Sequence, residues 1–74
     1  MAVQIVMDHT GDARHEFDPA DATGLMLAER RFRALREQGY WAVALAPGGQ
    51  PGRILRQFEP DVDQTLFIPQ LQGG

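Results

Sequence analysis

The chain has 74 residues, no cysteine, a formal charge of −3 and a pI near 5.1. That length makes one domain, which buries only roughly 60% of its unfolded surface, and the lack of thiols excludes disulfide staples, thiolate nucleophiles and cysteine-held metals. The acidic balance argues against nucleic-acid binding, and all seven basic residues are Arg, which leaves no ε-amine for a Schiff base or an isopeptide bond.

In chain order, Ala2 to Met7 alternates Val3, Ile5 and Met7 with Ala2, Gln4 and Val6, the period of a strand. The turn residues Asp8-His9-Thr10-Gly11-Asp12 reverse the chain into a second strand over 13–17, with Ala13, His15 and Phe17 on one side. Asp18-Pro19-Ala20-Asp21 is written as a helix start, an acceptor side chain before a proline. Gly24 is costly inside a helix, so the opening reads as a single turn with the regular helix beginning near Thr23. The helix spans about 19–38 and ends at Gly39, and its stripe Leu25, Ala28, Phe32 and Leu35 needs a sheet to cover. Glu29 with Arg33, and Arg33 with Glu37, are spaced for ion pairs along its outer face.

Tyr40 to Ala46 is rich in β-formers, with Trp41 expected beneath the helix. The cluster Pro47-Gly48-Gly49-Gln50-Pro51-Gly52 turns the chain into a second hairpin arm, Arg53 to Phe58. An acidic loop around Pro60 follows. Thr65-Leu66-Phe67-Ile68 is a continuous apolar run, the mark of a strand covered on both faces, and it is placed in mid-sheet beside the first strand. Pro69 ends it, giving a globular domain over 1–69 and a flexible tail over 70–74. Phe17-Asp18-Pro19 and Phe58-Glu59-Pro60 echo one another, each closing a hairpin arm.

Two strands, a helix, two strands and a buried last strand make an α+β domain of ββαββ β-grasp type, a mixed sheet of four to five strands on one helix. This order, the length and the C-terminal Gly73-Gly74, with Leu71 two residues before, resemble the ubiquitin-like proteins, a family that includes bacterial sulfur carriers. The resemblance implies a non-enzymatic modifier or sulfur carrier whose working atom is the Gly74 carboxylate and whose partner is an adenylating enzyme. Two glycines keep such a tail thin enough to enter an enclosing site. The tail carries no arginine, unlike that of ubiquitin, and Pro69 follows the last strand directly.

A second reading is an accessory, protein-interaction domain that uses a sheet edge or the arginines Arg30, Arg33 and Arg36, with an inert tail. A distant third is a metal site on His9 and His15, which lack a ligand spacing. The chain has no Ser, no phosphate-cradling glycine loop and no calcium-loop pattern, so no cofactor, metal or catalytic residue is expected. No apolar run approaches the roughly 18 residues of a membrane span, and the N-terminus lacks a signal-peptide pattern, so a soluble cytoplasmic protein without membrane partners is expected.

Overall fold

The computed structural model describes residues 1–70. Six elements follow one another: β1 (Ala2–Asp8), β2 (Gly11–Phe17), α1 (Ala22–Glu37), β3 (Tyr40–Leu45), β4 (Pro51–Leu55) and β5 (Gln64–Pro69). The strands form one sheet in the order β2-β1-β5-β3-β4. β1 and β5 run parallel at the centre, while β1 with β2, β3 with β5 and β3 with β4 are antiparallel. This is the mixed sheet and single helix of a β-grasp-like α+β domain, and β5 lies beside β1 as the apolar run of 65–68 requires.

The helix starts later than its first acid suggests. Asp18 holds a separate turn, accepting from Ala20 N through its carboxylate (2.9 Å) and from Asp21 N through its carbonyl (2.9 Å). Asp21 is the cap: its carboxylate accepts from Gly24 N at 3.0 Å, satisfying one of the amides that the first turn leaves orphaned. The helix therefore runs over 22–37, three residues shorter at its start than the Pro19 signal implies. At the other end Gly39 takes a positive φ of 94°, and its N–H donates to Arg36 O at 3.1 Å.

Ala28, Phe32 and Leu35 are buried against the sheet, with Leu25 half-buried at the start of the stripe. Two adjoining clusters make the core. Phe32 and Leu35 meet Ala42, Ala44, Leu55 and Phe67, and Ala28 meets Ala2 and Phe17. Phe58 packs against both clusters. Its ring lies 6.0 Å from Phe17 and 5.9 Å from Phe32, and Phe32 stands edge-on to Phe67 at 5.7 Å, so all four phenylalanines form one chain of rings. The residues of the sequence echo, Phe17 and Phe58, are neighbours in space. β4 ends at Leu55, however, so Phe58 belongs to the irregular return and not to the hairpin arm.

Trp41 is not beneath the helix. On β3 the small Ala42 and Ala44 face inward, and Trp41 stands 39% exposed on the opposite side of the sheet. The physical reason is room: Phe32 and Phe67 already fill the space between helix and sheet, and only alanines fit below them.

Among the described residues Gln4 is the one large polar side chain in the core, 1% exposed on the helix-facing side of β1. Its amide donates to Ala28 O at 3.0 Å and accepts from Arg31 at 2.9 Å, so both ends of the group are satisfied.

Candidate functional site

The helix covers one face of the sheet and leaves the other open. Register places a row of apolar side chains across four strands of that open face, Ile5 beside Leu66, Leu66 beside Val43 and Val43 beside Ile54. Trp41 pairs with Ile68 in the next row. Ile5 is buried within this surface, whereas Met7, Ile54 and Ile68 are 44%, 55% and 40% exposed. Charged side chains border it along β2, where Asp12, Arg14 and Glu16 lie opposite Met7, Ile5 and Val3. The surface is thus apolar across its middle and polar at its β2 rim.

The arginine band of the helix divides by task. Arg31 is committed to Gln4. Arg36 donates to Tyr40 O at 2.8 Å and lies over the Trp41 ring at 5.5 Å, so it ties the helix end to the start of β3. Arg33, exposed, pairs with the half-buried Glu29 at 3.0 Å, and Arg30 is exposed. Leu71, Gly73 and Gly74 lie outside the described residues, and the last described residue, Gln70, donates its N–H to Gly39 O at 3.1 Å.

Between the helix and the segment after β4 lies a groove of about 420 Å³. Phe32 and Phe58 line it together with Arg33, Arg36 and Arg56 and the acids Glu29 and Glu37. Elsewhere, Arg53 grips Glu59 with two hydrogen bonds of 2.7 and 2.5 Å, which lowers the Glu59 carboxyl and raises the Arg53 guanidinium from their ordinary values.

His9 is exposed in the β1–β2 turn, and His15 is half-buried on β2 opposite Gln4. Burial, with Arg31 nearby, holds the His15 imidazole below its usual value. Asp8 accepts from the Thr10 hydroxyl at 2.6 Å and from its amide at 2.8 Å, which lowers its carboxyl. Among the described residues no three His, Asp or Glu side chains converge as metal ligands would.

The open face was missed by sequence reasoning, yet it carried a signal. In β3 the alternation of large Trp41 and Val43 with small Ala42 and Ala44 says that the two sides differ, and only the assumption that the larger residues face the helix assigned them wrongly. No family model, curated protein or solved structure matches this chain, so the strand order β2-β1-β5-β3-β4 carries the β-grasp likeness by itself.

Proposed function

We propose that the chain is a non-enzymatic, ubiquitin-like module that works by docking the open face of its sheet on a protein partner. The observation that carries this reading is the exposure of Met7, Trp41, Ile54 and Ile68 together on one face. Single exposed apolar residues are ordinary, but an aromatic, a methionine and two isoleucines around a continuous apolar row form a patch that water solvates poorly. Aromatic and methionine side chains are also the types enriched where proteins meet. The test is a paired capture experiment from the native host, with the wild-type chain and the double variant Ile54→Glu, Ile68→Glu as baits. Both sites are solvent-facing, so the variant keeps its melting temperature; a specific partner held by the wild type and released by the variant supports the reading, and equal retention defeats it.

A second reading concerns the tail. β5 ends at Pro69, next to the pairing of Ile68 with Trp41, and the sequence continues through Gln70 into Leu71-Gln72-Gly73-Gly74. The pair Gly73-Gly74 following a β-grasp-like domain is what supports a modifier or sulfur carrier activated at the Gly74 carboxylate by an adenylating enzyme. Deleting Gly74 then abolishes every conjugate or thiocarboxylate in the host, and unchanged products rule this reading out.

A further inference from the structure

The groove beside the helix is a second surface, joined to the open sheet face where Arg36 lies over Trp41, and its chemistry differs. The half-buried Phe58 gives it an aromatic wall, backed by the buried Phe32 ring 5.9 Å away and edge to face. Three guanidinium groups, Arg33, Arg36 and Arg56, stand around it against two carboxylates, Glu29 and Glu37. Glu29 is already matched by Arg33, and Arg56 makes no ion pair among the described residues. In a chain of net charge −3 the local sign is therefore reversed. Positive charge beside a low-dielectric aromatic surface favours an anion that brings its own apolar group, because the carboxylate is attracted and the hydrocarbon is desolvated in the same event. The charge of the whole chain disfavours a nucleic acid as that anion.

We propose that this groove binds an acidic segment of a partner protein, with an apolar side chain lying against the half-buried Phe58 and flanking carboxylates meeting Arg56 and, in place of Glu29, Arg33. The groove is open along one side and bounded by charged rims, which suits a stretch of chain laid across it more than a small molecule enclosed within it. Arg36 is already held by Tyr40 O and Trp41, so it forms the fixed end of the rim, and Arg33 and Arg56 supply the adjustable contacts.

The experiment is a titration of the isotopically labelled chain, followed by backbone amide shifts, with a blocked Asp-Phe-Glu peptide. The expected result is saturable shifts confined to 29–37 and 56–58, weakened by added salt and weakened about tenfold by Arg56→Gln or Arg33→Gln, each variant retaining the wild-type melting temperature. Arg30→Gln, outside the lining, leaves the affinity unchanged. The amide analogue Asn-Phe-Gln binds more weakly, and so does free 3-phenylpropanoate. Equal binding of the amide analogue, shifts centred on the open sheet face, or no shifts at millimolar peptide each overturn the proposal. Tighter binding of phenylpropanoate than of the peptide would assign the groove to a free carboxylate ligand and overturn the assignment to a protein segment.

Discussion

Gln4 shows what one side chain decides. It sits in the core because each of its polar atoms finds a partner, Ala28 O on one side and Arg31 on the other. Truncation to Ala removes packed volume and the acceptor of Arg31 together, and should cost about 2–3 kcal/mol in denaturant unfolding. Gln4→Leu keeps the volume. Because Ala28 O retains its helical bond and Arg31 can turn to water, that variant should lose about 1 kcal/mol or less, a contrast that separates packing from hydrogen bonding. His15, paired across the ladder with Gln4, makes stability depend on pH. Its folded-state value lies below 6.5 through burial and the Arg31 charge, so the unfolded chain takes up the proton first. Its contribution is complete above about pH 6.5 and is lost as pH falls through that value toward the folded-state one. Asp8 and Glu59 shift downward too, and their contributions are lost only in the more acidic carboxylate range. Melting temperature should therefore decline between pH 7 and 5 in the wild type and stay flatter in His15→Gln.

At the scale of elements, caps and close approaches matter more than exposed ion pairs. Asp21, not Asp18, holds the first helical turn, so Asp21→Ala should cost about 1 kcal/mol in thermal unfolding and Asp18→Ala less. The β3–β4 hairpin carries a register shift between Val43 and Leu45. There Gly52 lies so close to its neighbour that a Cβ would stand 2.5 Å from the carbonyl oxygen of Ala44. Gly52→Ala should thus move the hairpin backbone and cost about 1–3 kcal/mol, read as a lower denaturation midpoint with the slope retained. The Arg33–Glu29 pair on the helix is solvent-facing, and its loss in Arg33→Gln should change stability by no more than about 0.5 kcal/mol.

Over the whole molecule, the four phenylalanines connect the parts. Phe17 ends the first hairpin, Phe32 lies mid-helix, Phe58 sits in the return after β4 and Phe67 is on the central strand, so the ring chain joins segments far apart in sequence. Phe58 is only half-buried, yet it touches both clusters. Phe58→Ala should cost about 3 kcal/mol and still unfold in one transition, because neither cluster closes without the other. A variant that melts in two steps would show the clusters to be separate units. The one-sided burial of the sheet is a property of the same scale: a single helix packs on one face of the five strands, so the side chains of the other face, Met7, Trp41, Ile54 and Ile68 among them, stay exposed.

Local pattern was enough for much of this protein. Alternation located β1 and β3, the continuous apolar run 65–68 placed β5 in the middle of the sheet, and the stripe Ala28, Phe32, Leu35 marked the buried side of the helix. These were legible because period and burial are written in neighbouring residues. The capping residue was not, since Asp18 and Asp21 both fit the pattern and only the path of the backbone puts one carboxylate within reach of a helical amide. Nor was the side of the sheet on which Trp41 lies. A strand states that its two faces differ, but which face meets the helix depends on the volume already occupied by Phe32 and Phe67, which come from other elements. The open apolar face and the arginine-rimmed groove exist for the same reason: the sequence by itself determined the elements and their order, and tertiary packing decided which of their surfaces were left uncovered.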